Sequence, residues 1–232
     1  MINELLGIQY NIEKAKLDGK VQNLASYINE KTLISSHKEM EGKKAKGIDG
    51  VAKEDYTVNL ESNVGKLVKQ LKNGSYRPEP IRRVYIPKDG SDKMRPLGIS
   101  CYEDKLVENI LAQILTMVYE PKFYKESFGF RPNRNCHQAV GEIVNNVQKH
   151  KVHYIVEADI RGFFDNVNHD WLIKFLEHDI DDRKFIEIIK KFLKAGIMEN
   201  GKHLESERGT PQGNGCSPVL ANIYLLRFGL LV

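Results

Sequence analysis

The longest helical pattern in the chain runs from Glu103 to Val118 and constrains the fold more than any other segment. Apolar residues recur there every three or four positions, at Leu106, Val107, Ile110, Leu111, Ile114, Leu115 and Val118. This spacing gathers them on one broad face of an α-helix, and such a face has to be covered by other elements. We therefore expect a central helix in the hydrophobic core, with the rest of the chain packed around it.

Helices and short strands alternate in the remainder of the sequence. Helical spacing of apolar residues predicts further helices within 21–38, 56–73, 140–147, 171–176 and 185–193. The residues of 82–87 and 94–99, separated by a polar turn, predict a β-hairpin, and Asn200-Gly201 predicts a second hairpin with a type I′ turn. The apolar run from Tyr154 to Val156 predicts a strand that is covered on both faces. Helices interleaved with such strands indicate an α+β fold with a mixed or antiparallel sheet.

The composition excludes several classes of protein. The chain has 232 residues, of which 41% are hydrophobic and 28% charged, and this balance is typical of a globular protein rather than a disordered, collagenous or membrane protein. No apolar run approaches the roughly 20 residues of a spanning helix, and the N-terminus lacks the pattern of a signal peptide. We therefore expect a cytoplasmic location. Cys101, Cys136 and Cys216 are odd in number and widely spaced, so they predict neither a disulfide framework nor a zinc site.

Positive charge is concentrated in one part of the sequence. Between Lys43 and Arg95 there are 13 Lys or Arg residues against 7 acidic residues, although the net charge of the whole chain is only +4. A basic N-terminal half joined to a nearly neutral half suits a protein that holds a polyanion on one lobe and performs chemistry on the other. A solvated basic face without a partner explains the same charge pattern equally well.

Two segments contain residues that point to chemistry. Asp159 lies just beyond the predicted strand, and a carboxylate in that position can reach a divalent cation, although it can also cap a helix or close a turn. The segment Gly209 to Tyr224 contains Pro211-Gln212-Gly213 and predicts a helix that begins near Ser217. Its glycines allow the backbone to approach a flat ligand, but a Gly-Pro loop before a helix is also a common connector. Taken singly, each segment leaves both alternatives open.

Six segments of the chain together carry a family resemblance. They are Lys46–Val51, Tyr76–Lys88, Met94–Ile99, Ser127–Pro132, Ala158–Asp170 and Gly209–Tyr224. In this order they resemble the motifs of reverse transcriptases, specifically of the kind encoded by group II introns. The resemblance covers nearly all of the sequence from about Lys43 to Tyr224.

The resemblance implies a right-hand polymerase fold, with N-terminal helices and fingers in residues 1–100 and an incomplete palm in residues 101–232. By motif position, Asp159 is the expected catalytic carboxylate and binds both Mg²⁺ ions of a complete site, with the Ile160 carbonyl as a further metal ligand. The expected nucleotide-binding residues are Lys88, Arg95, Gly162, Phe163, Phe164, Gln212 and Gly213. Among them, Phe164 is the expected steric gate that excludes a 2′-hydroxyl. Phosphoryl transfer asks a protein mainly for positioning and charge neutralisation, which metal ions and cationic side chains supply.

The implied partners are an intron RNA template, a DNA primer and a deoxynucleoside triphosphate. The residues expected to contact nucleic acid are Lys43, Lys44, Lys46, Arg77, Arg82 and Arg131, of which Arg131 supports either the fingers–palm junction or the template. The alternative function is a maturase module that binds RNA and assists splicing without chemistry. Neutralising the three lysines is expected to weaken RNA binding and flatten its salt dependence in either case.

One departure from the family pattern limits these expectations. Reverse transcriptases carry a later Tyr/Phe-x-Asp-Asp turn, and this motif does not occur in the sequence; Asp181-Asp182 precedes the Pro-Gln-Gly segment and reads as the start of a helix. We therefore expect a palm that is truncated before the catalytic Asp-Asp hairpin and the thumb. One carboxylate does not hold two Mg²⁺ ions in catalytic geometry, so we predict that this chain alone does not polymerise. An unpaired palm strand near Asp159 further predicts a homodimer or oligomer that buries this region.

Overall fold

The computed structural model describes residues 6–87, 90, 92–210 and 213–228. This part of the chain contains ten α-helices, two 3₁₀ turns and four short β-strands. The helices are α1 (Leu6–Asp18), α2 (Glu30–Glu39), α3 (Lys53–Thr57), α4 (Leu60–Asn73), α5 (Tyr102–Tyr119), α6 (Cys136–Lys149), α7 (Phe163–Asn166), α8 (His169–Asp179), α9 (Arg183–Lys194) and α10 (Ser217–Phe228). The strands are β1 (Ile81–Pro87), β2 (Met94–Ile99), β3 (Ile197–Glu199) and β4 (Lys202–Leu204).

Helix α5 forms the centre of the hydrophobic core, as its apolar spacing predicts. All seven of its predicted core residues are buried, and α1, α2 and α10 pack against it. One hydrophobic cluster extends from Ile8 on α1 to Leu226 on α10, so the two halves of the chain share a single core. The expected boundary between fingers and palm near residue 100 therefore does not coincide with a break in the core, and it stays a prediction.

The four strands form one mixed sheet in the order β2-β1-β3-β4. The β1–β2 hairpin is antiparallel, with Ile86 opposite Arg95, whereas β1 and β3 run parallel. The β3–β4 hairpin turns at Asn200 and Gly201, whose φ angles of 50° and 74° are the left-handed values that a type I′ turn requires. Both predicted hairpins and the mixed sheet are confirmed.

The region 21–38 folds differently from the single helix that its spacing predicts. Val21 forms a parallel bridge with Ile180, and its amide donates to the Asp179 carbonyl at 2.8 Å. Helix α2 begins only at Glu30, because the side chain of Asn29 accepts hydrogen bonds from the Lys31 and Thr32 amides and fixes the helix start there. Apolar spacing does not distinguish a continuous helix from a packed irregular segment followed by a capped one.

Two expectations from composition can also be compared with the structure. None of the described helices is long and apolar enough to cross a membrane. All three cysteines are free thiols: Cys101 and Cys216 are buried and Cys136 is exposed.

Candidate nucleotide and nucleic-acid site

The segment that carries Asp159 is not a strand. Residues 151–160 form no regular secondary structure and are all exposed, with Tyr154 and Val156 each 89% exposed. The predicted strand covered on both faces is therefore wrong for this structure. The four strands of the sheet pair only with one another, and no described strand lies beside this segment to satisfy its backbone hydrogen bonds.

The carboxylate of Asp159 is exposed and accepts no hydrogen bond from the described residues. The alternative role of a helix cap is not supported, because the residue that precedes the first turn of α7 is Gly162. Gly162 has a φ of 60°, a left-handed value that suits glycine and directs the chain into the short helix. Within the described part of the chain, Asp159 thus remains free to meet an external cation.

The chemistry of the oxygen ligands suits magnesium, but their number does not suit a complete site. A carboxylate at Asp159 and the Ile160 carbonyl are the hard oxygen ligands that Mg²⁺ prefers. However, the described residues contain no group of three or more His, Cys, Asp or Glu side chains that could hold a metal ion. The ligand set in the described part of the chain therefore does not fit a two-ion site.

The Asp181-Asp182 pair has the structural role expected from its sequence. Asp182 caps α9, since its Oδ1 accepts from the Phe185 amide at 3.0 Å and its Oδ2 accepts from the Ala25 amide at 2.8 Å. Asp181 accepts from the Gln22 side chain at 3.2 Å. Both carboxylates hold the N-terminal part of the chain against α9, which confirms the prediction of a helix start.

The aromatic pair after Asp159 is held firmly by ring contacts. Phe164, the expected steric gate, is half-buried, and its ring packs edge-to-face against Phe130 at 6.2 Å and against Phe163 at 5.6 Å. Phe163 also contacts Tyr224 on α10 at 6.2 Å. Such packing restricts the rotation of the Phe164 ring, as a shape-based selection against a hydroxyl group requires.

The Gly209 end of the Pro-Gln-Gly segment packs directly on α7. The Thr210 amide donates to the Phe164 carbonyl at 2.7 Å, and the Gly209 amide donates to the Val167 carbonyl at 2.7 Å. A Cβ at position 209 would lie 2.9 Å from the Phe164 carbonyl oxygen, so only glycine permits this approach. Two segments that are about fifty residues apart in sequence are thereby joined.

The Gly213 end of the same segment packs on the sheet. Gly213 has a φ of 99°, and a Cβ there would lie 2.5 Å from the Gly98 carbonyl oxygen on β2. Arg95 is exposed on the same strand, three residues before Gly98. The structure thus brings β2, α7 and the Pro-Gln-Gly segment together, while Lys88 and Gln212 lie outside the described residues.

A buried carboxylate anchors this segment, and sequence reasoning missed it. Glu108 on α5 is 1% exposed and accepts hydrogen bonds from Ser100 Oγ at 2.6 Å, Asn214 Nδ2 at 2.7 Å and the Gly215 amide at 3.0 Å. Burial raises the pKa of Glu108, while the hydrogen bonds from Ser100 and Gly215 oppose that shift. The sequence did contain a signal, namely an acidic residue at a core position of the strongest apolar helix. Acidic residues are rarely fully buried unless they have partners, so this position indicated a buried hydrogen-bonding role.

The lysines of the 43–46 loop are exposed, and two of them form surface ion pairs. Lys44 contacts Glu41 at 2.6 Å and Lys46 contacts Asp55 at 3.2 Å, whereas Lys43 adopts a left-handed φ of 57°. Exposed pairs of this kind contribute little stability and exchange readily with other partners. The loop therefore keeps its ability to meet a phosphate backbone.

The three predicted arginines are used mainly to hold the fold. Arg82 donates twice to the Lys46 carbonyl, at 2.6 and 3.0 Å, and Arg77 donates to the Gly74 and Tyr76 carbonyls at 2.9 Å. The side chain of Arg131 is only 4% exposed, and its donors all go to Glu120 and to two backbone carbonyls. Of its two expected roles, the geometry favours support of the protein over contact with the template.

A second basic surface, which sequence reasoning did not predict, lies between α4 and α9. We call it the α4–α9 groove; it encloses about 410 Å³, and its cationic lining residues are Lys72, Arg77, Arg183, Lys184 and Lys191. None of these five forms an ion pair with a described carboxylate, and Glu187 on the rim pairs instead with Lys190 at 3.2 Å. Burial and the neighbouring Arg77 guanidinium lower the pKa of Lys191. The groove gathers five cations from both halves of the chain around one carboxylate, Glu187, and the Lys191 and Arg77 side chains both donate to the Gly74 and Tyr76 carbonyls.

The chain is similar to known proteins both in sequence and in fold. A family model described as reverse transcriptase (RNA-dependent DNA polymerase) matches residues 86–229, more than half of the chain. Among solved structures, a partial Cas6-RT-Cas1–Cas2 complex superimposes with a TM-score of 0.57 at 26% identity, covering 87% of this chain and 33% of that chain.

Curated relatives narrow the family further. The group II intron-encoded protein LtrA of Lactococcus lactis subsp. cremoris is 46% identical over 165 residues, which are 71% of this chain and 27% of that protein. An uncharacterised 91 kDa protein in the cob intron of Schizosaccharomyces pombe is 41% identical over 70% of this chain and 20% of its own length. The protein YkfC of Escherichia coli is 35% identical over 78% of this chain and 48% of its own length. The chain thus spans less than half the length of these relatives. By sequence family and by fold, it belongs to the reverse transcriptases, and within them to the kind that group II introns encode.

Proposed function

We propose that this chain forms the fingers and part of the palm of an RNA-directed DNA polymerase that copies intron RNA. The observation that carries the proposal is the packing of Gly213 on Gly98 and of Gly209 on Phe164, which joins three separate motifs around one surface. In the proposed division, the fingers lie within residues 1–100 and the palm within residues 101–232. The proposed partners are an intron RNA template, a DNA primer, a deoxynucleoside triphosphate and a second copy of this chain, and the proposed location is the cytoplasm.

The proposed roles of the residues follow from their chemistry. The Asp159 carboxylate and the Ile160 carbonyl would bind Mg²⁺, which would neutralise the charge that develops during phosphoryl transfer. Cationic side chains at Lys88 and Arg95 would meet the triphosphate. The amides of Gly162 and Phe163 would also face the triphosphate. The proposed nucleotide and template-base pocket consists of Gln212 and Gly213.

Selection against ribose is proposed for Phe164. Its contacts with Phe130 and Phe163 hold the ring in place, and a fixed ring excludes a 2′-hydroxyl by shape at no electrostatic cost. The proposal requires only that the sugar edge of the nucleotide lies on this ring. A smaller side chain at this position would then admit ribonucleotides.

The experiment uses a chimera in which residues 1–228 replace the matching part of the Lactococcus lactis relative. Asp159→Ala is expected to abolish primer extension by at least about a thousandfold, because the first oxygen ligand of the metal is lost. Phe164→Val is expected to raise the use of ribonucleotides relative to deoxynucleotides. Phe123→Val is the matched control, because the half-buried Phe123 ring contacts Tyr119 and Arg131 rather than the rings around Phe164. Synthesis that survives in the Asp159→Ala chimera, or an unchanged sugar preference in the Phe164→Val chimera, would refute the corresponding assignment.

For the 232-residue chain alone, we propose that no Mg²⁺-dependent DNA synthesis occurs. The support is the single predicted acidic ligand, Asp159, together with the structural use of Asp181 and Asp182. A primer-extension assay on the purified chain tests this directly. Robust cDNA synthesis that chelation of Mg²⁺ stops would overturn the proposal.

The α4–α9 groove favours a second function, RNA binding without chemistry, as a maturase module would require. Its five cations suit a phosphate backbone, because each phosphate contact releases condensed counterions. Replacing Lys72, Arg183, Lys184 and Lys191 by Gln is expected to lower the slope of log affinity against log salt by about 3. Lys190→Gln is the matched control, since Lys190 lies on the same helix but is already paired with Glu187.

The RNA affinities of two sets of variants distinguish DNA synthesis from RNA binding without chemistry. Asp159→Ala is expected to leave RNA affinity nearly unchanged, whereas Gln at Lys43, Lys44 and Lys46 is expected to weaken it and flatten its salt dependence. If RNA binding survives the loop changes and the groove changes at moderate salt, neither surface is the RNA contact. If the loop changes act and the groove changes do not, the maturase function loses its structural support.

A further inference from the structure

His169, the first residue of α8, holds a backbone carbonyl of the Pro-Gln-Gly segment. This histidine is buried, and its Nε2 atom lies 2.7 Å from the carbonyl oxygen of Gly209, forty residues further along the chain. A carbonyl oxygen only accepts hydrogen bonds, so Nε2 carries the proton and donates it. Neither the metal ligands nor the nucleotide-binding residues of the proposed function include His169, so this contact has no role in that proposal.

The peptide group that His169 contacts is held at its other end by the proposed steric gate. The Gly209 carbonyl and the Thr210 amide belong to one planar peptide group. The Thr210 amide donates to the Phe164 carbonyl at 2.7 Å, so the plane is held between the His169 ring and the Phe164 backbone. Rotating the plane would break both hydrogen bonds at once. The position of the Phe164 backbone is therefore coupled to the His169 side chain through a single peptide group.

The backbone around Gly209 needs such an external constraint. The Gly209 amide donates to the Val167 carbonyl at 2.7 Å, and Asn168 and Arg208 form an antiparallel bridge, so the segment is aligned beside the end of α7. Gly209 itself has a φ of 86°, in the left-handed region. Because glycine rotates more freely than any other residue, the chain at this point does not by itself fix the peptide that follows. The His169 donor supplies the missing constraint.

His169 is in turn placed by a rigid element. The side chain of Asn168 caps α8 by accepting from the Trp171 amide at 3.0 Å, and Leu172 and Leu176 of the same helix are fully buried. A donor on a capped and well-packed helix holds its position more firmly than a donor on a loop. The ring therefore fixes the Gly209 carbonyl rather than following its movements.

We propose that His169 is a positioning residue for sugar selection. Its Nε2–H group fixes the Gly209–Thr210 peptide, and this peptide holds the backbone from which the Phe164 ring projects. The inference rests on the proposed function of Phe164 as the steric gate and adds a residue that acts through that gate. It requires of His169 a hydrogen-bond donor at the Nε2 position, and neither an aromatic ring nor a charge.

Two substitutions separate the donor from the ring. His169→Gln keeps an N–H donor near the position of Nε2 but removes the ring, whereas His169→Phe keeps a ring and removes the donor. A positioning role predicts that the Gln variant resembles the original protein more closely, and a packing role predicts the reverse. His203→Phe is the matched control, because the Nε2 atom of this exposed histidine on β4 also lies near a backbone carbonyl, that of Ala195, at 3.3 Å.

Hydrogen–deuterium exchange on the 232-residue chain tests the positioning without catalysis. In His169→Phe the Thr210 amide is expected to exchange about tenfold faster, whereas in His169→Gln and His203→Phe its rate stays within about twofold of the original. The Ile180 amide, which donates to the Leu176 carbonyl at the far end of α8, reports global unfolding. Unchanged Thr210 exchange in His169→Phe, equal acceleration at Thr210 and Ile180, or faster Thr210 exchange in the Gln variant than in the Phe variant would overturn the proposal.

The second measurement is sugar selection by the same chimera that tests the proposed function. The ratio of kcat/KM for a deoxynucleotide to kcat/KM for the matching ribonucleotide is expected to fall by about fivefold in His169→Phe and to stay within about twofold in His169→Gln. An unchanged ratio in His169→Phe would refute the role in sugar selection. A chimera that makes no DNA with His169 in place refutes the proposed function instead, and Thr210 exchange still decides whether His169 positions the peptide.

Discussion

Replacing Glu108 is the most direct test of how this structure positions the Pro-Gln-Gly segment. The carboxylate accepts from Ser100, Asn214 and Gly215 inside the core, so Glu108→Ala leaves three donors without an acceptor. Each unsatisfied buried donor costs about 1 kcal/mol or more, and the loss of one buried methylene group adds about 1 kcal/mol. We therefore expect the free energy of unfolding to fall by about 4 kcal/mol, a large part of the total stability of a domain of this size.

Glu108→Gln is expected to have a smaller effect that locates the cause. The amide retains one carbonyl oxygen for Ser100 and Asn214, but its NH₂ group faces the Gly215 amide, and one hydrogen bond is replaced by two opposed donors. The expected loss is about 1–2 kcal/mol. The order of stability should therefore be Glu, then Gln, then Ala at this position.

Urea unfolding followed by circular dichroism measures these differences. Gln113→Ala on the same helix is the control, because the Gln113 side chain is half-buried and no hydrogen bond joins it to another described residue. A second assay is limited trypsin cleavage after Arg208, an exposed residue that leads into the anchored segment, and cleavage is expected to accelerate in Glu108→Ala. A loss below 1 kcal/mol for Glu108→Ala relative to Gln113→Ala, with unchanged cleavage, would refute the anchoring role.

Three further changes test other parts of the fold. Burial raises the pKa of Asp104 to about 7, so the folded protein keeps this carboxyl protonated above the usual pKa of an aspartate. Its contribution to the free energy of unfolding is therefore complete below that usual pKa and is lost as the pH rises through 7. Asp104→Asn should remove this fall, which is at most about 1.4 kcal/mol per pH unit, as measured by urea unfolding between pH 4 and 8. Asp179→Ala leaves Lys122 and Arg227 without their shared carboxylate and should lower the free energy of unfolding by about 3 kcal/mol. An unchanged urea denaturation midpoint would contradict a stabilising role for these two ion pairs. Gly47→Ala would place a Cβ 2.5 Å from the Cys101 Cα and should destabilise the fold by about 1–3 kcal/mol. Gly65→Ala, where the added Cβ meets open space on α4, should stabilise the fold slightly. Thermal melts in which Gly65→Ala is the less stable of the two variants would contradict this prediction.

Periodic segments of the sequence predicted their structures well. Helix α5, the two hairpins and the helix end at Gly74 all follow from local rules, namely apolar spacing, turn residues and the left-handed preference of glycine. The helix start at Asp182 was also predictable, because a capping carboxylate acts on amides that follow it within three residues. These features depend on neighbours that are close in sequence.

The strand at Tyr154 to Val156 shows where local rules fail. Its residues have the composition of a buried strand, but a strand forms only where another strand accepts its hydrogen bonds, and the described part of the chain offers none. Similarly, Arg131 reads as a basic residue within a nucleic-acid motif, yet its donors are all used inside the protein. Exposure and partners are properties of the assembled structure.

The sequence by itself determined the family, the order of the motifs and the residue types that phosphoryl transfer needs, because these depend on which side chains follow one another. Only the tertiary structure decided how those motifs meet. It placed Gly213 on Gly98 and Gly209 on Phe164, set Glu108 beneath them, and gathered cations from α4 and α9 into one groove. The physical reason is that close approach, burial and clustered charge arise between residues that are far apart in the chain, and no local pattern records such distances.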